Sequence, residues 1–402
     1  MKLFLVSAML GLASLADAKV EVMFHPKDPT LEQIAEWIDQ AQSTVDIAMY
    51  NMETSDSSPV IQKLRSASVQ QRIHSQQLQV RLVFEGYGTP TENTQKMAAL
   101  ESLGIDVRYL GKSVKVHHKF AVIDTGLRQH RVITGSANWS LSSYRNYNEN
   151  ILFFSDEAEV TARYQQEFNR LWKNAHEFGS SLEFEESKQM TYVDDENVEV
   201  YFNSPRFIDK DSLESSRLTS QVVRLIGGAQ YSLKIATTRV RLVPALEALA
   251  AAAKRGVKVQ IIISQDDYRD IGRRAKYLFS HPNIQLRVKF YNLKPSEYLK
   301  YQMHHKFMIV DDSIILSGSF NWSESSENRH IENLVELKGA LAQEVWPQFN
   351  QEFVELWGLG RRNVEHLESD LVNMQQIQCA FSPMALNVSE IRCFLKLGAD
   401  CQ

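Results

Sequence analysis

The sequence predicts an α/β protein made of two pseudo-symmetric α-β-α sandwich domains that arose by internal duplication. Short apolar runs alternate with helical stretches through both halves, which places helices on both faces of a mostly parallel or mixed sheet. The halves repeat one another at an offset of 178 to 188 residues, so one α/β unit is used twice. Each half also carries the same polar signature, His117-His118-Lys119-Phe120-Ala121-Val122-Ile123-Asp124 and His304-His305-Lys306-Phe307-Met308-Ile309-Val310-Asp311.

Taken in order, Val20-Glu21-Val22-Met23-Phe24-His25-Pro26 returns as Val198-Glu199-Val200-Tyr201-Phe202-Asn203-Ser204-Pro205, a first strand closing in a proline turn. Helices follow at 31–42, where Ile34, Ala35 and Ile38 form an apolar stripe, and at 213–227. Buried strands are expected at 44–50 and 232–236, helices at 59–77 and 243–255, and covered strands at 80–84 and 257–263. Helices at 91–103 and 271–279 then lead to strands at 106–109 and 285–290 and so to the signature. Each half closes on an amphipathic helix, with Glu167-Phe168-Asn169-Arg170-Leu171-Trp172 matching Glu352-Phe353-Val354-Glu355-Leu356-Trp357. Trp172 and Trp357 stand at helical spacing from Phe168 and Phe353 and read as packing. The domains are therefore 19–180 and 198–360, joined by an acidic linker at 181–197. Residues 361–402 have no partner in the first half and read as an added tail holding all three cysteines, Cys379, Cys393 and Cys401. In an oxidising compartment two of these could bridge, with the pairing open.

Each signature copy reads H-x-K-x4-D, a turn, G-S-x-N, and a glutamate eleven residues after the asparagine. These last parts are Gly135-Ser136-Ala137-Asn138 with Glu149, and Gly318-Ser319-Phe320-Asn321 with Glu332. On a strand, residues two apart share a face, so His117 and Lys119 point one way and His118 the other. Ser136 and Asn138 repeat that spacing on a neighbouring segment. One copy thus offers an imidazole, an ammonium, a hydroxyl and an amide, with a carboxylate available behind the imidazole. Lysine and asparagine suit non-bridging phosphate oxygens, and a carboxylate on the far ring nitrogen fixes a histidine tautomer. Two copies face to face set two histidines across one phosphate.

This paired signature resembles that of the phospholipase D superfamily, whose double H-K-D motif the chain carries in both halves. The flanking G-S-x-N-W-S and N-E-N or I-E-N segments are similar to small secreted bacterial endonuclease-like and cardiolipin-hydrolase-like branches, and the likeness covers nearly all of 20–360. The resemblance implies a phospholipase D-like fold in both domains and a phosphodiesterase acting on a phospholipid headgroup or a nucleic-acid backbone, with no metal or other cofactor. Carried onto this chain, it implies His117 as the nucleophile that forms a phosphohistidine and His304 as general acid and base. The residues alone leave that assignment open, because the copies are so alike. It further implies that Glu149 and Glu332 orient the histidines and that Lys119, Lys306, Asn138 and Asn321 hold phosphate oxygens. Ser136 and Ser319 would add hydroxyl bonds, and Asp124 and Asp311 would be structural. Two histidines in opposite protonation states predict a bell-shaped pH profile.

The remaining polar and aromatic candidates read more plainly. His118 and His305 belong to the core or a second layer by strand parity. His25, His74, His130, His176, His281, His330 and His366 lack motif context and read as surface or packing. Trp139 and Trp322 follow the motif asparagines and are candidates for the mouth of the site. A non-catalytic, anion-binding duplicate is the remote alternative, and the intact motifs in both copies argue against it.

Composition bounds the setting. The chain has 402 residues, 44% hydrophobic and 23% charged, enough for two modest domains. A net charge of −5 does not announce a polyanion binder. Locally, Arg217 to Lys306 holds 17 Lys/Arg against 5 Asp/Glu, whereas Ser180 to Ser216 has 10 acids and 3 bases. A basic segment ending at the signature suits an anionic partner, either an acidic phospholipid or DNA or RNA. Met1-Lys2, an apolar run at 3–15 and Ala16-Asp17-Ala18 read as a signal peptide over 1–18, too short to span a bilayer, so a secreted or periplasmic protein is expected. The segment 293–301 is a candidate for a small membrane-contacting loop. Because both half-sites lie in one chain, a monomer with no stable protein partner is expected.

Overall fold

A computed structural model describes residues 19–86, 90–111, 114–179, 190, 195–203, 218–270, 278, 281–293, 300–362, 364 and 380–397. The expected signal peptide, most of the expected linker, Cys379 and Cys401, most of the expected helix at 271–279 and most of the loop 293–301 lie outside them. The first half contributes β1 (Lys19–His25), β2 (Thr44–Met49), β3 (Gln79–Phe84), β4 (Asp106–Tyr109), β5 (Lys115–Val116), β6 (Lys119–Ile123), β7 (Arg131–Gly135), β8 (Glu149–Ser155) and β9 (His176–Glu177). The second contributes β10 (Val198–Phe202), β11 (Ser232–Thr237), β12 (Lys258–Ser264), β13 (Ile284–Asn292), β14 (Lys306–Val310), β15 (Ile314–Gly318), β16 (His330–Ile331), β17 (Asn333–Leu337) and β18 (Ala380–Leu386).

Two eight-stranded mixed sheets result, ordered β1-β8-β7-β6-β2-β3-β4-β9 and β10-β17-β15-β14-β11-β12-β13-β18. Position by position they are the same sheet. Strands β2-β3-β4 and β11-β12-β13 pair in parallel, and the flanking pairs are antiparallel. The motif strands β6 and β14 are buried along their whole length, and apolar after the opening lysine, because each is interior to its sheet with both faces covered.

Three apolar clusters fill the molecule. One lies within the first half around Leu31, Ile47, Leu82 and Trp139, and one within the second around Leu225, Ile261, Val288 and Trp322. The third joins the halves, bringing Phe24, Phe120, Tyr164 and Phe168 together with Phe307, Ile309, Phe349 and Phe353. The closing helices Ala158–Asn174 and Gly339–Trp357 supply much of that shared layer. Trp172 stacks on Phe168 and Trp357 on Phe353, and Arg108 and Arg287 cover the outer indole faces at 4.2 and 4.3 Å.

Three expectations change. The helix expected over 59–77 is two helices, Pro59–Leu64 and Ala67–His74, because Ser66 adopts an extended conformation between them. Residues 361–402 are more than an added tail: β18 pairs antiparallel with β13, taking the edge place that β9 holds beside β4. Cys393 sits exposed on the helix Val388–Leu397 that follows. Trp139 and Trp322 are 1% exposed and belong to the two outer cores, not to a cleft mouth.

Candidate active site

The motif histidines stand just before β6 and β14, and the motif glutamates at the starts of β8 and just before β17. Short parallel pairings across the halves fix their meeting. Strand β5 pairs with β16, and the His117 amide donates to Ile331 O at 3.1 Å, so His117 arrives beside Glu332. Met303 bridges Asn148, and the His304 amide donates to Asn148 O at 2.9 Å, so His304 arrives beside Glu149. His117 Nδ1 lies 2.8 Å from Glu332 Oε2, and His304 Nδ1 is hydrogen-bonded to Glu149 Oε1. The sequence suggests a glutamate behind the histidine of its own copy; the structure crosses them, each carboxylate serving the other half.

All four groups are nearly sealed from solvent, and this sets their charge. Burial drives His117 well below the ordinary imidazole value, against the pull of Glu332. Burial, aided by the Lys306 ammonium, lowers His304 to about 4. Burial works to raise the two carboxyls, yet the imidazoles facing them hold Glu149 and Glu332 well below the usual carboxylate range. At neutral pH each pair is thus a carboxylate bonded to a neutral imidazole whose Nδ1 carries the proton, which leaves the Nε2 lone pair available.

Lys119 and Lys306 are each 1% exposed. Burial lowers them to about 7 and about 8, opposed in both cases by the glutamates of both halves. Each Nζ donates to the backbone carbonyl of its own motif histidine at 2.6 Å. Lys306 depresses Lys119, and Lys119 also depresses His304, so the two copies share one electrostatic centre. Asn138 and Asn321 are 8% exposed, and the Oδ1 of each is buried without a hydrogen-bond partner. The motif serines are fully buried and turned inward: Ser319 Oγ donates to Glu332 Oε2 at 2.7 Å, while Ser136 Oγ accepts from the Asn150 amide at 3.0 Å. Their hydroxyls brace the segments that carry the motif glutamates. The motif glycines permit that approach, since a Cβ at Gly135 or Gly318 would stand 2.2 or 2.3 Å from the carbonyl oxygen of Asn150 or Asn333.

Asp124 and Asp311 lie away from this centre in left-handed conformations, φ 57° and 50°. Asp124 accepts from the amides of Gln42, Ser43 and Thr44, and Asp311 from those of Gln230, Tyr231 and Ser232. His118 is held between Glu167 at 3.0 Å and the Asn333 amide at 3.0 Å, and His305 between Glu352 at 3.1 Å and Asn150 at 3.2 Å. These buried bonds again tie one half to the other.

Sequence reasoning missed two histidines. His25 is fully buried, bonded to Thr30, and its Nδ1 lies 3.5 Å from Glu149. Its place was legible only through strand pairing, which sets His25 opposite Glu149. His330 Nδ1 lies 3.5 Å from Glu332 Oε1, and its ring is 5.5 Å from that of His117. In the first copy Tyr147 holds the matching place, 5.9 Å from the His304 ring. Tyr50 also packs on His117 at 4.8 Å and under Lys119 at 5.0 Å, where the second copy has Thr238 bonded to Lys306.

A family model described as "Cardiolipin synthase, PLD-like domain" matches residues 34–172 and 222–357. The chain belongs to the phospholipase D superfamily. It is 39% identical over 101 residues to the mitochondrial cardiolipin hydrolase of Xenopus tropicalis, a stretch covering 25% of this chain and 45% of that protein. It is 28% identical over 143 residues to the Chlamydomonas reinhardtii protein of the same name, covering 36% and 57%. The chain thus spans about half the length of the curated relatives it matches. Among solved structures, phosphatidylserine synthase from Haemophilus influenzae Rd KW20 shares the fold with a TM-score of 0.62 at 12% identity, over 83% of this phospholipase D-superfamily chain and 86% of that one.

Part of the basic bias ahead of the second motif is consumed by pairing and burial. Arg224, Lys234 and Arg241 pair with Glu336, Asp312 and Asp267, Arg255 donates to three backbone carbonyls, and Lys289 and Lys306 are buried. No helix among the described residues is long and apolar enough to cross a membrane.

Proposed function

We propose that this protein is an exported, metal-independent phosphodiesterase that hydrolyses the headgroup ester of an anionic phospholipid through a phosphohistidine. The observation that carries the reading is the crossed pair of carboxylate-bound imidazoles sharing a centre with two buried lysines. Lys119 and Lys306, with the amides of Asn138 and Asn321, would neutralise the anionic oxygens that otherwise repel a nucleophile. Neutral His117, its Nδ1 held by Glu332, attacks phosphorus through Nε2. As the N–P bond forms, the P–O bond to the leaving alcohol breaks, and His304 delivers a proton to that oxygen. A bound phosphodiester places an anion beside His304 and raises its hold on that proton. His304 then takes a proton from water, whose oxygen displaces His117 from phosphorus.

The lipid reading rests on the cardiolipin hydrolase relatives and on the internal pairing of the basic segment, which leaves less charge free for a nucleic-acid backbone than the count suggests. Export rests on the sequence of residues 1–18. The test is a parallel assay in EDTA of cardiolipin vesicles, phosphatidylcholine vesicles, plasmid DNA and RNA, with His304→Ala as the inactive control. Release of headgroup alcohol from cardiolipin alone supports the reading. Cleavage confined to DNA or RNA overturns the lipid assignment, and activity that vanishes in EDTA overturns metal independence.

A further inference from the structure

The two half-sites are not equivalent, and the difference has metal-binding chemistry in it. Glu149 has both carboxylate oxygens engaged, Oε1 by His304 and Oε2 by Ser143. Glu332 does not: Oε2 takes His117 and Ser319, whereas the buried Oε1 has no hydrogen-bond partner, its facing nitrogen being His330 Nδ1 at 3.5 Å. Two imidazole Nδ1 atoms therefore converge on one ionised carboxylate, one on each oxygen. One donor atom from each of His117, His330 and Glu332 lies within 4.8 Å of the others. Two donors about 2.1 Å from a tetrahedral ion stand about 3.4 Å apart, so the gap between His330 and Glu332 already fits zinc. The His117–Glu332 contact at 2.8 Å has to open by about 0.6 Å to reach that spacing. The His330 side chain is 20% exposed and gives an ion a way in.

We propose that His117, His330 and Glu332 form a binding site for a divalent transition ion of the zinc class, and that an ion there switches hydrolysis off. Two nitrogens and a carboxylate are the donor set zinc uses with a fourth position open to water or an anion. The inhibition follows from the tautomer. An ion on His117 takes the Nδ1 lone pair, so the single proton of the neutral ring moves from Nδ1 to Nε2. The lone pair that attacks phosphorus is gone. In the first half Tyr147 occupies the place of His330, and the Glu149 oxygen that His25 Nδ1 faces at 3.5 Å is already closed by Ser143, with His25 itself held by Thr30. Residual hydrolysis in EDTA and inhibition by zinc are thus two sides of one site.

The inhibitory part rests on the phosphodiesterase reading, and the binding part does not, so the two are read separately. Purified protein stripped with EDTA and dialysed is titrated with Co²⁺, following the visible d–d absorption, and with Zn²⁺ by calorimetry. Hydrolysis of a chromogenic phosphodiester is followed beside it. The variant is His330→Tyr, which copies the residue of the first half and keeps an aromatic ring at that place; an unchanged melting curve confirms its fold. One equivalent of Co²⁺ is expected to bind the unaltered protein with the intense bands of a low-coordinate site. Zn²⁺ is expected to stop hydrolysis reversibly. In His330→Tyr, metal affinity and zinc sensitivity, the latter measured against the variant's own metal-free rate, should fall by at least about tenfold, as loss of one of three protein donors implies. No Co²⁺ spectrum in the unaltered protein, or equal zinc sensitivity in the variant, overturns the proposal. A Co²⁺ spectrum lost in the variant, in a protein without hydrolytic activity, upholds the site and overturns the phosphodiesterase reading instead.

Discussion

Replacing Glu332 by glutamine removes one negative charge while nearly preserving side-chain shape, and the crossed wiring dictates which histidine feels it. The carboxylate lies 2.8 Å from His117 Nδ1 and is otherwise braced by Ser319. A glutamine oxygen at the Oε2 position still accepts from both groups, so the tautomer of His117 survives. What is lost is attraction for the imidazolium-like ring that forms as phosphorus is attacked. Two unit charges about 4 Å apart at an effective dielectric near 20 interact by about 4 kcal/mol, so Glu332→Gln should lower kcat by roughly three powers of ten. Glu332→Ala also frees the ring to rotate and should cost more. The assay pairs hydrolysis of a chromogenic phosphodiester with nitrogen NMR of histidine-labelled protein. Glu332→Gln should shift the ring signals of His117 and leave those of His304 nearly in place; Glu149→Gln should do the reverse. If each glutamine perturbs the histidine of its own half, or if kcat falls less than about tenfold, the crossed arrangement does not carry catalysis.

Three further expectations follow from the same coordinates. Asp106 is fully buried with neither oxygen bonded, and burial together with Glu177 pushes it up to about 7 from 3.8. Between those values the folded form keeps a proton that the unfolded chain has released, so stability falls as pH rises through that window. Asp106→Asn should therefore leave the urea midpoint unchanged near pH 4 and raise stability above pH 7, by up to about 4 kcal/mol; a constant gain at all pH values would refute the assignment. Asp124→Ala removes the acceptor for three backbone amides and places alanine at φ 57°, so it should cost about 3 kcal/mol in urea unfolding. Gly318→Ala drives a Cβ against the Asn333 carbonyl beside Glu332, and should lower both the melting temperature and kcat. Loss of one without the other would separate the strand contact from the site.

Most of the architecture was legible because the chain states it twice. Runs such as Phe120-Ala121-Val122-Ile123 announce interior strands, and their repetition as Phe307-Met308-Ile309-Val310 fixes the equivalence of the sheets. The break at Ser66 was not legible, since the apolar spacing on either side continues a single helical pattern. Strand β18 was hidden for a different reason: nothing in the first half repeats it, and its partner β13 lies about ninety residues earlier. Among site residues, strand parity separates His117 from His118 and places the latter in the network of Glu167 and Asn333. Parity cannot tell which copy's glutamate arrives behind a given histidine. That depends on the β5–β16 and Met303–Asn148 pairings, which are contacts between halves and leave no local trace in either.

The crossing also accounts for which parts of the duplicated unit stayed alike within this chain. Glu332 serves His117 and Glu149 serves His304, so neither half holds a complete pair of first motif histidine and motif glutamate of its own. His118 and His305 likewise borrow Asn333 and Asn150 from across the interface. A change in any of these residues therefore damages the partner half's machinery, and each copy constrains the other. The neighbours that serve only one side are free of that constraint, and they are where the copies differ. Tyr50 stands against Thr238, Tyr147 against His330, and His25 against Asn203, whose Oδ1 accepts from the Glu332 amide at 2.7 Å. The same divergence leaves one carboxylate oxygen of Glu332 open where its counterpart in Glu149 is closed. Two half-sites that began as copies can in this way keep a common acid–base core while one of them acquires a chemistry that the other lacks.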